Sequence, residues 1–129
     1  MPMKHILVVD DDRSVLQVLT RTLVDYNVTV ARDGFEALAV AQRMGRLDLL
    51  ITDYLMPSMT GDELIARVRQ RQPHLPVLIV TGHGDILDRE AEPWWTASAY
   101  LRKPFEPAAL REQVGRLTGH VRAGVNAAE

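Results

Sequence analysis

ILVVDDD at residues 6–12 is the stretch that decides the fold, because a run of four apolar residues is followed at once by three aspartates. A continuous apolar run of this length is typical of a strand that is covered on both faces, as in a parallel sheet. Two further predicted strands, at 47–52 and 77–80, also end beside polar residues, namely Asp53 and Thr81. The stretch therefore predicts a buried strand whose carboxyl end carries functional side chains.

Short apolar runs alternate with amphipathic segments along the rest of the chain. The predicted strands are 6–9, 27–31, 47–52, 77–80 and 99–101, and the predicted helices are 14–24, a segment that follows 33–34, 62–71, about 85–96 and 107–117. We expect Asp12 or Ser14 to cap the first helix, and Pro93 to end or kink the fourth. Five such alternations imply a parallel sheet with helices on both faces, since parallel neighbours need crossover connections.

Length and composition indicate one globular domain. The chain has 129 residues, is 47% hydrophobic, contains no cysteine and has a formal net charge of −2. A chain of this size buries enough surface to form a single core. We predict a domain at 1–118 and a frayed tail at 119–129. With no excess of basic residues and no long apolar stretch, we expect a cytoplasmic protein without direct nucleic-acid or membrane binding.

The polar residues that follow the strands form one candidate site. In doubly wound sheets, ligands bind beyond the carboxyl ends of the strands, where Asp10, Asp11, Asp53, Thr81 and Lys103 are expected. Carboxylates that lie close together repel one another, and a hard cation such as Mg²⁺ or Mn²⁺ relieves that repulsion. A carboxylate beside such a cation can attack phosphorus and form an acyl phosphate.

Four segments carry a resemblance to a known family. They are VVDDD at 8–12, LITDYLMPSMTG at 50–61, VTG at 80–82 and KPF at 103–105. In this order and spacing they are similar to the signature segments of response-regulator receiver domains of two-component systems, the CheY-like superfamily. The resemblance covers about residues 4–118. It implies a flavodoxin-like α/β fold with five helices and a five-stranded parallel sheet of order 2-1-3-4-5.

The same resemblance implies roles for individual residues. Asp53 matches the phosphoacceptor. The metal ligands would be Asp11, Asp53, the backbone carbonyl of Leu55 and, through water, Asp10. Asp12 is expected to act mainly as a helix cap. The residues that match the family's phosphoryl-stabilising and switch positions are Thr81, Lys103 and Tyr100. The Lys103–Pro104 peptide bond is expected to be cis.

Two further sets of residues lie at the margins of the predicted site. Leu55 and His83 match the rim positions at which family members vary, and an apolar Leu55 is expected to slow loss of the phosphoryl group because it cannot orient a water. Trp94 and Trp95 form a candidate partner surface on the predicted fourth helix. The alternative interpretation is that one of these tryptophans packs inward and the other lies on the surface.

The resemblance implies a domain that takes a phosphoryl group from a histidine kinase or a histidine phosphotransfer protein. Phosphorylation would then change the face formed by the fourth helix, fifth strand and fifth helix, for an effector or a second copy. The domain would catalyse only its own modification, so we do not expect a turnover enzyme. The alternatives are a pseudo-receiver that is not phosphorylated, an aspartate-based phosphatase, disfavoured by Leu55 two residues after Asp53, and a flavodoxin-like carrier, disfavoured by the aspartates at 10–12. A stand-alone regulator, part of a transcription factor and part of a hybrid kinase all stay open.

Overall fold

The computed structural model describes residues 3–82 and 97–119. Within them a five-stranded parallel sheet has the order β2-β1-β3-β4-β5, which confirms the flavodoxin-like arrangement that the resemblance implies. The strands are β1 (His5–Val9), β2 (Asn27–Ala31), β3 (Leu49–Thr52), β4 (Val77–Thr81) and β5 (Ala99–Arg102). The three central strands are almost wholly buried, whereas the edge strands β2 and β5 are partly exposed. Continuous apolar runs therefore mark the centre of the sheet.

Helices cover both faces of this sheet. They are α1 (Arg13–Thr22), α2 (Gly34–Met44), α3 (Gly61–Arg69) and α4 (Pro107–Thr118). Side chains alternate between the two faces of each strand, so Leu7 and Val9 pack on the side of α2 and α3 while Ile6 and Val8 pack on the side of α1 and α4. The core thus has two layers, one on each side of the sheet. Our α4 is the fifth helix of the sequence prediction, because the predicted fourth helix at 85–96 lies outside the described residues.

Three of the described helices begin with a side-chain cap. The side chain of Asp12 accepts a hydrogen bond from the N–H of Ser14 at 2.9 Å, which identifies Asp12 as the cap of α1. Asp33 and Thr60 cap α2 and α3 in the same way. Each cap satisfies a backbone N–H that has no partner within its helix. These caps place the amino-terminal ends of the helices at the carboxyl edge of the sheet.

One strand starts later than its predicted bounds. The strand predicted at 47–52 includes Leu47, but β3 begins at Leu49, directly after the charged Asp48. Both backbone groups of Leu47 instead bond to the side chain of Gln72, its N–H at 2.8 Å and its carbonyl oxygen at 2.9 Å. A glutamine side chain therefore replaces the neighbouring strand as the partner of Leu47.

No helix within residues 3–82 and 97–119 has the length and apolar character needed to cross a membrane. The predicted tail lies outside the described residues apart from Gly119.

Candidate functional site

The site lies where β1, β3, β4 and β5 end. Asp10 follows β1 and Asp53 follows β3, and the two strands pair with Val9 opposite Thr52. The N–H of Asp53 donates to the carbonyl of Val9 at 3.1 Å, which keeps the two chain ends together. Asp10 and Asp53 are 1% and 7% exposed. Neighbouring parallel strands thus bring two buried carboxylates side by side.

Lys103 joins the two carboxylates. Its Nζ lies 2.8 Å from Oδ2 of Asp10 and 3.1 Å from Oδ2 of Asp53, although 93 and 50 residues separate them in sequence. Charge-assisted bonds of this length are about twice as strong as neutral ones. The backbone N–H of Lys103 donates to the carbonyl of Thr81 at 2.9 Å, so β4 helps to hold the lysine in place. One ammonium therefore sits between two buried acids.

Burial and the contacts of Lys103 act in opposite directions on the pKa values of the site. Burial raises the pKa of Asp10 above its ordinary value, and the hydrogen bonds from Lys103 and from the N–H of Asp12 only partly oppose that rise. Burial alone would lower the pKa of Lys103, but its hydrogen bonds to Asp10 and Asp53 outweigh that effect and raise it. Lys103 is thus held in its charged form, while Asp10 is not fully compensated.

Asp11 completes an acidic cluster beside this pair. One carboxylate oxygen from each of Asp10, Asp11 and Asp53 lies within 4.8 Å of the other two. Unlike the other two, Asp11 is exposed and accepts no hydrogen bond from the described part of the chain. With Lys103 as the neighbouring cation, the ionised cluster carries two surplus negative charges. Three oxygen donors with surplus negative charge fit a hard divalent cation.

Backbone N–H groups fix the remaining carboxylate oxygens. Tyr54 donates its N–H to Oδ1 of Asp53 at 2.7 Å, and Asp12 donates its N–H to Oδ1 of Asp10 at 2.9 Å. Each buried acid therefore holds one oxygen towards the backbone and the other towards Lys103. Buried polar groups that are bonded on both sides have little freedom to turn.

Gly61 is a supporting residue to which our sequence analysis assigns no role. Its N–H donates to the carbonyl of Tyr54 at 2.6 Å, and a Cβ at this position would come within 2.6 Å of the carbonyl oxygen of Asp53. Only glycine lets α3 approach the Asp53 loop this closely. The available signal was the position of Gly61 at the end of the segment at 50–61, immediately before the predicted helix at 62–71.

The other predicted site residues lie around this centre. Thr81 is fully buried at the end of β4. Tyr100 lies on β5 opposite Ile79 and is 43% exposed, and Leu55 is 39% exposed in the loop after Asp53. The Lys103–Pro104 peptide bond is cis, as the resemblance implies. His83, Trp94 and Trp95 lie outside the described residues, so their predicted roles stay predictions.

A groove opens beside Lys103 on the side of α1. It has a volume of about 390 Å³ and lies between α1 and the segment that follows β5. Val15 and Val18 line it from α1, and Pro104 and Phe105 line it from the opposite side. An apolar groove next to the acidic cluster is a surface on which another protein can dock.

Comparison with curated proteins places the chain among bacterial regulators. The family model for the response regulator receiver domain matches residues 6–115. The transcriptional regulatory protein GlrR of Escherichia coli is 38% identical over 112 residues, which are 85% of this chain and 25% of GlrR. The response regulator MprA of Mycobacterium leprae is 39% identical over 120 residues, 92% of this chain and 51% of MprA. The chain thus spans a quarter to a half of the length of these relatives.

A solved structure of another response regulator is similar to this chain. The response regulator protein TrrA of Thermotoga maritima, in its crystal structure in complex with Mg²⁺-BeF, superposes with a TM-score of 0.78 at 32% identity. The match covers 89% of this chain and 99% of that chain.

Proposed function

The chain belongs to the response regulator receiver domain family, and on that premise we propose that Asp53 accepts a phosphoryl group from a phosphohistidine. The observation that carries the proposal is the pair of contacts from Lys103 to Asp10 and Asp53. An ammonium held beside a carboxylate is suited to pair with a new phosphoryl group on that carboxylate. Asp53 is 7% exposed, so its side chain is largely shielded from solvent within the described part of the chain.

We propose Mg²⁺, or Mn²⁺ in its place, as the cofactor. Asp11 and Asp53 would hold the ion directly, together with the backbone carbonyl of Leu55, and Asp10 would hold it through water. The surplus negative charge of the cluster supports this assignment, as does the Mg²⁺-BeF complex of TrrA. When bound, such an ion polarises a phosphoryl oxygen and offsets its charge.

In the proposed reaction, a carboxylate oxygen of Asp53 attacks the phosphorus of the phosphohistidine in line. The new O–P bond forms as the N–P bond breaks, and the electron pair leaves with the imidazole, which can then take up a proton. The ammonium of Lys103 pairs with one phosphoryl oxygen, and the hydroxyl of Thr81 donates to another. Water later hydrolyses the acyl phosphate. The domain therefore catalyses only its own modification and is not a turnover enzyme.

The proposed switch follows from the new contacts of Lys103 and Thr81. Movement of Thr81 towards the phosphoryl group would make room for Tyr100, which is exposed on β5 in this structure. The face that includes β5 and α4 then changes shape and selects a different partner. This is a population shift driven by contacts that exist only in the phosphorylated state.

We propose a histidine kinase or a histidine phosphotransfer protein as the donor. The apolar groove lined by Val15, Val18, Pro104 and Phe105 opens beside Lys103, so a protein bound there is close to Asp53. The relatives are longer than this chain and include a transcriptional regulator. We propose that an effector domain, or a second copy of the chain in a homodimer, responds to the phosphorylated state.

The proposed function predicts that beryllofluoride, a phosphoryl analogue, stabilises the protein only together with Mg²⁺. At about 100 times its dissociation constant, a ligand that binds only the folded state adds about 2.7 kcal/mol, or roughly 10 °C in Tm for a domain of this size. The measurement is thermal unfolding with Mg²⁺ alone, with beryllofluoride alone and with both.

Asp11→Asn should weaken or abolish this shift, because it replaces the exposed carboxylate of the cluster with a neutral amide oxygen, a poorer ligand for a divalent cation. Asp25→Asn, an exposed change outside the site, is the matched control and should keep the shift. An unchanged Tm for the wild-type protein with both ligands would instead favour the pseudo-receiver, which has the fold without phosphorylation.

Leu55→Asn should shorten the lifetime of the phosphorylated state severalfold. Leu55 is exposed two residues after Asp53, and its apolar side chain cannot orient a water towards the phosphorus. An asparagine amide supplies both a donor and an acceptor at the same point. The measurement is the decay of the phosphorylated protein followed by intact mass. An unchanged lifetime would show that Leu55 does not control hydrolysis.

A further inference from the structure

A second groove lies on the opposite side of α1 from the site. It has a volume of about 790 Å³ and lies between α1 and the edge strand β2. The residues that form it include Arg13, Leu16, Arg21, Val24, Val30 and Arg32. The α1 residues recur at three- and four-residue intervals, so they form one stripe along the helix. The groove therefore follows α1 from its first turn to the turn beyond its end.

Uncompensated positive charge lines this groove. Arg13, Arg21 and Arg32 are exposed, and their side chains form no ion pair or hydrogen bond with any residue in the described ranges. Glu36 is the acidic residue at its edge, and its carboxylate accepts the backbone N–H of Arg32 at 2.8 Å. Three guanidinium groups against one carboxylate leave a surplus of two positive charges, although the whole chain carries −2.

The groove also exposes apolar surface between these charges. Val24 is 69% exposed and Val30 is 41% exposed, and Leu16 lies at the groove's base. Val30 belongs to β2, which is an edge strand with β1 as its neighbour in the sheet. Exposed valines flanked by unpaired arginines are typical of a protein contact, in which apolar groups are buried and charges pair at the rim.

We propose that this α1–β2 groove binds an acidic amphipathic helix of a partner protein. The helical part of the groove, from Arg13 to Arg21, is about 12 Å long at the rise of an α-helix, which matches about two turns of a partner helix. Glutamates on that helix would pair with the three arginines, while its apolar residues would cover Val24 and Val30. A nucleic acid fits less well, because the carboxylate of Glu36 at one end would repel its phosphates and the exposed valines cannot pair with them.

This docking surface is independent of the proposed phosphoryl transfer. The groove beside Lys103 lies along Val15 and Val18, whereas the second groove lies along Arg13 and Arg21, so both sides of α1 can be occupied at once. Asp53→Asn should therefore bind the acidic helix as tightly as the wild-type protein does. This variant separates the two proposals, because it cannot accept a phosphoryl group on Asp53 but should still bind the acidic helix.

The test is an NMR titration of the whole chain with designed 18-residue peptides. The probe carries glutamates on one helical face and leucines on the other, and the comparison peptides carry lysines for the glutamates or the same residues in scrambled order. We expect amide shifts confined to residues 13–24 and 30–36. Reversing two charges, in Arg21→Glu with Arg32→Glu, should weaken binding at least about tenfold, a typical size for losing close charge pairs.

Arg111→Glu is the matched control, because Arg111 is exposed on α4 and lies away from the groove. It should leave the affinity for the acidic peptide unchanged. The proposal is overturned if no shifts occur at millimolar peptide, if the lysine or scrambled peptide binds equally well, or if the shifts map elsewhere. Tighter binding of a DNA duplex at the same residues would also overturn it.

Discussion

Asp53→Asn is expected to abolish incorporation of a phosphoryl group from acetyl phosphate and Mg²⁺. The amide nitrogen and oxygen of asparagine are far weaker nucleophiles than a carboxylate, and no acyl phosphate forms on them. The asparagine oxygen can still accept the N–H of Tyr54, whereas its NH2 group replaces the oxygen that accepts from Lys103. The measurement is intact mass, in which the wild-type protein gains one phosphoryl group and the variant gains none.

Two controls make this result specific. Asp25→Asn replaces an exposed aspartate outside the site and should be modified like the wild-type protein. Circular dichroism and thermal unfolding of Asp53→Asn establish that the variant is folded. A mass gain in Asp53→Asn would move the acceptor to another carboxylate, with Asp10 and Asp11 as the nearest ones. No gain in either protein would leave an interaction module as the better interpretation.

Lys103→Met is expected to lower the free energy of unfolding by about 2 kcal/mol at neutral pH. Breaking a buried ion pair by removing one partner costs about 3–5 kcal/mol, and the partial exposure of Lys103 reduces that figure. The substitution leaves Asp10 and Asp53 buried beside each other without their shared cation. Urea denaturation at constant ionic strength measures the loss.

The sign of the pH dependence identifies the cause of this loss. Burial already raises the pKa of Asp10, and removal of Lys103 takes away the contacts that oppose the rise. Asp10 in the folded variant therefore binds a proton at a higher pH than it does in the unfolded chain, where the pKa of an aspartate is ~3.9. The loss in free energy of unfolding relative to the wild-type protein is greatest above the pKa of Asp10 in the folded variant. This loss shrinks as the pH falls towards the pKa of an aspartate in the unfolded chain. Mg²⁺ should shrink it as well.

In the wild-type protein, the stabilising contribution of Lys103 is lost at high pH. Because the pKa of Lys103 is raised in the folded protein, its stabilising contribution is present below its unfolded pKa of ~10.4 and is lost only as the pH rises through the folded value. Lys4→Met removes the other lysine of the chain and is the matched control, with no comparable deficit expected. A Lys103→Met protein as stable as the wild-type protein at every pH would contradict this account.

The local sequence was sufficient for the elements that make up the sheet. Continuous apolar runs predict β1, β3 and β4 because a strand that is covered on both faces has no polar side to show. The position of Asp53 directly after such a run predicts its place at the carboxyl edge. The strand order came from the resemblance, since periodicity within a segment carries no information about its neighbours.

Local patterns were not sufficient where distant segments meet. The sequence offered both Asp12 and Ser14 as caps of α1 and favoured Asp12, and the hydrogen bond from the N–H of Ser14 to Asp12 confirms that choice. Leu47 belongs to the predicted third strand, yet Gln72, 25 residues away, supplies its backbone partners. Gly61 is needed because α3 packs against the Asp53 loop, and that close approach is a property of packing.

The sequence by itself determined which residues can form the site, because acids, a hydroxyl and a lysine follow strands whose apolar pattern is local. Only the tertiary structure decided how they are arranged. The bond from Lys103 to Asp10 spans 93 residues, and its length depends on strand register, helix packing and burial together. The grooves on either side of α1 have the same origin, since each forms between segments that the chain brings together only when it folds.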